Sequence, residues 1–448
     1  MNRIPVIVAL LFTCLAFPAW TEAQAPPPIR LTLDDAVARG LATSHRLAEV
    51  RARQEGAEAA VTGAQVADRP IVSAMAGYTR TNHVPEFGFL QPSGKREVFY
   101  PDIPDNMVTR VSMQWPIYTS GRVDALERAA TAEVQAIAAD METARADLRL
   151  EMVRAYWAVA TAREAVRVLE ESSTRAEAQL TDSRRRFEVG LIPPNDVSSF
   201  EAQRSRERAQ LIEASNLRES ALIELRRLIG VEPEVVIDLA DRLDDVVAGI
   251  AESATGSVPD AITEAVSRRP ERKALTFRLG GVDARRQAAL TATKPTIGLG
   301  AGVDYASPNP RIFPRTDKWN DSWDVSVNVS WIFWDSGRAK AQAAEANAAA
   351  TAIRERIAEF DSLVAADIRQ RQLDIASGTA MVQAASDAVR SAAEARRIVA
   401  DRFRAGVATS TDVLVVQVAL LETELARTRA LANLRLAQAR WQRAVGTP

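Results

Sequence analysis

From Trp323 to Phe333 the odd positions read Trp323, Val325, Val327, Val329, Trp331 and Phe333, while the even ones include Asp324, Ser326, Asn328 and Ser330. Strict alternation puts the apolar side chains of an extended segment on one face. Ile297, Leu299, Ala301, Val303 and Tyr305 alternate with Gly298, Gly300, Gly302 and Asp304 in the same way. Earlier, Val111, Met113, Trp115 and Ile117 alternate with Arg110, Ser112 and Gln114, and Val72, Ala74, Ala76 and Tyr78 make a weaker run. The pattern predicts four strands, each apolar on one side. Two environments fit it: a membrane barrel with lipid outside and water inside, or a soluble antiparallel sheet with one solvated face. Four strands cannot close a barrel and an open edge in lipid is unsatisfied, so the membrane reading requires two, three or four copies to share one barrel.

Between the strand pairs the period changes. Neither Gly nor Pro occurs in the 68 residues from Arg122 to Val189, enough for about 100 Å of continuous helix. An apolar ladder runs from Val123 through Met141, Met152 and Val159 to Leu169, in 13 steps averaging 3.54 residues, between a straight helix and a coiled-coil seam. A second long helix is expected from Arg338 to Ala405, interrupted at Gly378, with returning helices over 195–229 and 411–445.

These elements are duplicated. Arg186-Phe187-Glu188-Val189-Gly190 matches Arg402-Phe403-Arg404-Ala405-Gly406, Asp196-Val197 matches Asp412-Val413, and the segment from Trp115 to Arg122 matches that from Trp331 to Arg338, all at an offset of 216. Upstream the offset is 225, aligning His45 with Pro270 and leaving nine extra residues between Pro70 and Trp115. Residues 83–104, rich in Pro and polar residues, read as an exposed loop holding that insertion. The order in each half is helix, strand, loop, strand, long helix, tight turn, returning helix. The division expected is 26–230 for the first repeat, 231–258 for an acidic connector and 259–448 for the second repeat.

Composition narrows the class. Residues 1–25 have a secretory signal layout: Arg3, an apolar stretch from Ile4 to Phe17, then Ala23-Gln24-Ala25 before three prolines. Cleavage after Ala25 removes Cys14, the only cysteine, leaving no disulfide or Cys-bound metal. A net charge of −2 offers no nucleic-acid footprint. His45 and His83 stand in separate settings, and no phosphate loop, HExxH or CxxC pattern occurs. No catalytic residue, metal or cofactor is expected.

At the junctions Ser120-Gly121-Arg122 and Ser336-Gly337-Arg338, Ser is expected to cap the long helix. At the far turns, Gly190 and Gly406 are expected just past the helix ends. Asn195 or Asp196, and residues 410–412, offer caps for the return. Val189, Gly190 and Leu191 with Ala405, Gly406 and Val407 form apolar exposed tips suited to docking, and Asp196 and Asp412 stand where acidic residues can ring a pore mouth.

Together these features resemble the TolC-like outer-membrane efflux family, across nearly the whole mature chain. The doubled Arg-Phe-x-x-Gly-x5-Asp-Val pattern carries most of the resemblance. It implies a mainly helical, outer-membrane homotrimer in which each subunit gives four strands to a 12-stranded barrel and long helices to a periplasmic α-barrel. It also implies that the tips meet a periplasmic adaptor (a membrane fusion protein) joined to an inner-membrane pump, that Asp196 and Asp412 line the periplasmic aperture, and that Val325, Val327, Val329 and Trp331 face outer-membrane lipid. The chain departs from the family's best-known aperture lock, with Phe403 and Ala408 where Tyr and Arg are expected and Val415 in place of a second acidic ring. The function expected is a passive exit duct for small toxic molecules. The alternatives are a duct for type I polypeptide secretion or, in another class, a periplasmic coiled-coil scaffold.

Overall fold

The computed structural model describes residues 29–245 and 257–446. The expected signal peptide, with Cys14, and part of the connector lie outside the described residues. The chain enters through β1 (Ile29–Leu31) and then α1 (Leu33–Thr43), where the Thr32 hydroxyl accepts from Asp35 N and the Asp35 carboxylate accepts from Thr32 N.

Where one helix was expected ahead of each strand pair, there are two. Ser44 is extended and caps α2 (His45–Gln65), its hydroxyl accepting from Leu47 N. In the second repeat Arg269 is extended between helices Val258–Arg268 and Pro270–Leu290, as the residue before a proline is pushed out of the helical region. His45 and Pro270, paired by the repeat, both take the first helical position.

The main sheet is formed by β2 (Ile71–Arg80), β5 (Asp105–Tyr118), β7 (Thr296–Ser307) and β8 (Asn320–Ser330), antiparallel in the order β2-β5-β7-β8. Its register aligns the apolar phases: Ala74 lies opposite Val111, Val111 opposite Val303, and Val303 opposite Trp323. One continuous apolar face results, backed by one polar face. The segment read as a loop over 83–104 instead contains a hairpin, β3 (Phe87–Leu90) and β4 (Arg96–Tyr100). Its turn composition, ending in Gly94 at φ 79°, concealed two short apolar runs. The connector carries β6 (Ile237–Leu239), which pairs in parallel with β1.

The helical wall is the same in both repeats. Outgoing helices α3 (Arg122–Glu188) and α7 (Arg338–Arg404) each have 67 residues, and returning helices α4 (Pro194–Ile229) and α8 (Ser410–Val445) each have 36. The helices Val258–Arg268 and Pro270–Leu290 are α5 and α6. The apolar ladder of α3 is largely buried from Met141 to Leu169, but nearer the sheet Leu126 is exposed and Ala125, Ala129, Ala136 and Ala139 are buried instead. There α6 approaches closely, with a Cβ on Gly281 only 3.4 Å from that of Ala132. Gly378 does not interrupt α7: it is buried within it, and a Cβ there would lie 3.3 Å from Leu434 Cδ1 on α8.

The largest core lies midway along α3, where Met152 and Tyr156 pack with Leu31, Ile229 and Leu239. The Tyr156 hydroxyl is 2.7 Å from the Asp241 carboxylate, so the connector is sealed onto the middle of the rod.

The expected serine caps are corrected. Ser120 (φ 53°) and Ser336 (φ 56°) are left-handed, and the capping positions are Gly121 and Gly337. Ser120 Oγ donates to Pro295 O at 2.6 Å, tying the repeats together. In the second repeat the Asp335 carboxylate caps instead, accepting from Gly337 N and Ala339 N.

Candidate functional site: the helical tips and the sheet face

At the end of the helices remote from the sheet, both turns have the same backbone. Gly190 and Gly406 have φ 77°. Leu191 N donates to Arg186 O at 2.8 Å and Val407 N to Arg402 O at 2.9 Å, while Gly190 N and Gly406 N donate to Phe187 O and Phe403 O. These are six-to-one and shorter inner bonds of a glycine-closed helix end. Val189, Leu191 and Val407 are 69, 70 and 64% exposed, and Gly190, Ala405 and Gly406 are exposed beside them. The structure therefore brings the six expected residues together as two apolar tips.

Behind the tips the repeats diverge. Leu180, Phe200, Phe403 and Val413 form a small core joining the two hairpins. Arg186 lies over the Phe403 ring at 4.7 Å from its centre and donates to Phe403 O, while Phe187, its repeat partner, is exposed. Phe403 lies at the contact between the hairpins and Phe187 does not, so a symmetric motif is used asymmetrically. Sequence reading placed Arg186 only within the motif; nothing in the pattern distinguished it from Arg402, which is exposed.

Asp196 and Asp412 diverge likewise. The capping positions are Pro193 and Thr409, not 195–196 or 410–412 as expected. Pro at the start of α4 has its angle preset and has no orphan donor. Asp412 forms a capping box: Thr409 N and Oγ donate to its carboxylate at 2.9 and 2.7 Å. Asp196 instead accepts from Ser410 Oγ at 2.6 Å, bridging one hairpin to the other.

The Thr409 donors hold the Asp412 carboxyl below the usual carboxylate range. A depressed acid stabilises the fold above the unfolded value, about 4, and that contribution is lost as pH falls through the folded value. We expect Asp412→Ala to speed amide exchange in the first turn of α8 at pH 7, and the difference from wild type to narrow at pH 2. A difference of the same size at both pH values would show that the carboxylate is not its source.

On the sheet, Val325, Val327 and Val329 are each about two-thirds exposed on the apolar face. Trp331 lies just beyond β8, a correction to its placement on the strand. The cause is pairing: Ser330 faces Thr296, the first residue of β7, so nothing continues the ladder. Trp331 Nε1 donates to Thr293 O, and its repeat partner Trp115 donates to Asp68 O, the equivalent carbonyl. Among the described residues no helix is long and apolar enough to cross a membrane.

A family model described as outer membrane efflux protein matches residues 37–231 and 261–447. The chain is 24% identical over 377 residues to the outer membrane protein TolC of Vibrio cholerae, covering 82% of this chain and 80% of that one. It is 27% identical over 237 residues to protein CyaE of Bordetella pertussis, covering 51% of this chain and 47% of CyaE, about half of that protein's length. Among solved structures, the outer membrane protein VceC of Vibrio cholerae is similar with a TM-score of 0.76 at 18% identity, over 93% of this chain and 96% of that one. The open-state MtrE outer membrane channel of Neisseria gonorrhoeae gives 0.74 at 18% identity, over 93% and 89%. At such identity these two structures speak for the fold alone.

Proposed function

Because the chain belongs to the outer membrane efflux protein family, we propose that it is one subunit of a trimeric outer-membrane channel, the passive exit duct of a tripartite efflux system for small toxic molecules. The observation that carries this reading is the sheet: one face is apolar, with Val72, Val111, Val303, Val325, Val327 and Val329 exposed on it, and among the described residues β2 and β8 are each paired on one side only. In lipid such edges must be satisfied by other strands. Three copies, the number the TolC-like resemblance implies, supply twelve strands.

The helical wall supports the same ring. α4 packs on α3, α3 on α8, and α8 on α7, which leaves α4 and α7 at the two edges. Both edges carry exposed apolar residues, Leu217 and Ile223 on α4 and Leu373 and Met381 on α7. Edges of different composition fit a head-to-tail contact that closes on itself by rotation. In this reading the helices cross the periplasm, the tips at Gly190 and Gly406 dock a periplasmic adaptor coupled to an inner-membrane pump, and Asp196 and Asp412 line the aperture. The Asp196–Ser410 and Arg186–Phe403 contacts then stand where the family's Tyr and Arg lock is missing.

Deleting the gene is expected to sensitise cells to small toxic compounds, with resistance restored by the wild-type chain. The restored protein should fractionate with the outer membrane and begin near Pro26 by N-terminal sequencing. A soluble periplasmic product would overturn the channel reading. Unchanged sensitivity with loss of a secreted polypeptide would replace the cargo.

A further inference from the structure

The polar face of the sheet carries a row of charges. Arg110, within β5, donates from Nη1 to Asp304 on β7 at 2.7 Å and from Nη2 to Asp324 on β8 at 2.9 Å. Gly302 makes the room, since a Cβ there would collide with the Arg110 guanidinium. Asp324 also accepts at 2.7 Å from Arg311, which lies in the connection between β7 and β8 and donates again to Trp323 O at 2.8 Å. Asp324 belongs to the polar phase of its strand, so a loop residue that reaches it must fold over the polar face. Asn309 follows the same course: it is 1% exposed, and its Nδ2 donates to Asn320 O and Ser322 Oγ while its Oδ1 accepts from Arg311 N.

The hairpin formed by β3 and β4 meets this loop from the first repeat. Phe99 stacks on Phe313 with ring centres 5.7 Å apart and planes 6° from parallel. Arg315 donates from Nη1 to the Tyr100 hydroxyl at 2.8 Å and from Nη2 to Asn106 Oδ1 at 3.2 Å. The two connections at the end of the sheet away from the helices are thus locked to one another, and one of them is fastened to the polar wall.

We propose that residues 308–319, braced by the hairpin and latched through Arg311 to Asp324, constrict the outer mouth of the duct and limit entry of large solutes from outside. The inference rests on the polar face lining the lumen, as in the function proposed above. A ring of three copies turns three such loops over one opening. The latch suits a constriction that must also yield to outgoing cargo, because Arg311 is 42% exposed and its ion pair with Asp324 faces solvent, where such pairs are weak and screened. The aromatic stack keeps loop and hairpin moving as one body.

The test uses the full chain in planar bilayers bathed in potassium chloride, comparing wild type with Arg311→Ala, Arg311→Lys and a chain in which residues 310–316 are replaced by a short Gly-Ser link. Conductance is read channel by channel, so unfolded protein contributes nothing to it. Arg311→Ala and the shortened loop are expected to raise single-channel conductance by about twofold or more, with Arg311→Lys near wild type. Cells carrying the first two should become sensitive to externally added vancomycin. Wild-type channels whose conductance neither variant changes would overturn the constriction alone. A wild-type chain that passes no ions at all would sink the duct reading and the constriction with it.

Discussion

Replacing Val327 and Val329 together by Arg is expected to abolish membrane assembly, whereas Arg at Ser326 or Asn328 should leave it near wild type. The two valines lie opposite Leu299 and Ile297 on the face where all four strands present apolar residues, and each is about two-thirds exposed. If that face meets lipid, each Arg near the bilayer midplane costs roughly 2–4 kcal/mol, and a pair costs more than a marginal barrel tolerates. Ser326 and Asn328 stand opposite Gly300 and Gly298 on the other face, where small neighbours and water accommodate a long cation. The readout is the yield of oligomer in the outer-membrane fraction. Equal yields from both pairs of variants would place the apolar face against something other than lipid.

Gly190→Trp with Gly406→Trp is expected to leave the oligomer intact and to weaken adaptor association about tenfold or more, the scale of losing a central apolar contact. Both glycines have φ 77°, and a Cβ at either would have nothing within 4 Å. A non-Gly residue in this region costs roughly 1–2 kcal/mol, too little to undo a core as extensive as that around Met152. The new indole must therefore stand out among Val189, Leu191 and Val407 and spoil whatever surface they present. Oligomer yield, adaptor cross-linking and resistance to exported compounds are scored together. Cross-linking and resistance at wild-type level would exclude the tips as the docking surface, and loss of the oligomer would make these glycines structural.

The two-period pattern was enough to locate the four main strands and the long helices to within a few residues, because alternation and a ladder of about 3.5 residues are local consequences of backbone geometry. The internal repeat was likewise legible and correctly implied equal helices in both halves. The glycines at 190 and 406 could be assigned left-handed turns from their position alone, since few other residues adopt that conformation cheaply.

What the pattern could not supply was which neighbour each residue meets. Gly378 read as a break because glycine weakens an isolated helix, yet against Leu434 its missing side chain is what lets α7 and α8 approach. Trp331 fitted the alternation, but a strand ends where its partner ends, and Ser330 has the last partner. The hairpin of β3 and β4 was hidden by its prolines and stabilised by aromatic contact with a loop more than two hundred residues away.

The divergence of equivalent residues shows the limit most clearly. Sequence alone determined that Arg186-Phe187 and Arg402-Phe403 are copies, that Asp196 and Asp412 match, and that the tips are apolar. Only the tertiary structure decided that Phe403 is buried under Arg186 while Phe187 is exposed, that Asp412 caps its own helix while Asp196 reaches Ser410, and that Arg311 crosses onto the polar face to share Asp324 with Arg110. A repeat favours like local conformations, but where two hairpins lie side by side the contact takes a given position from one copy and leaves its counterpart free on the other, and that breaks the equivalence that the sequence preserves.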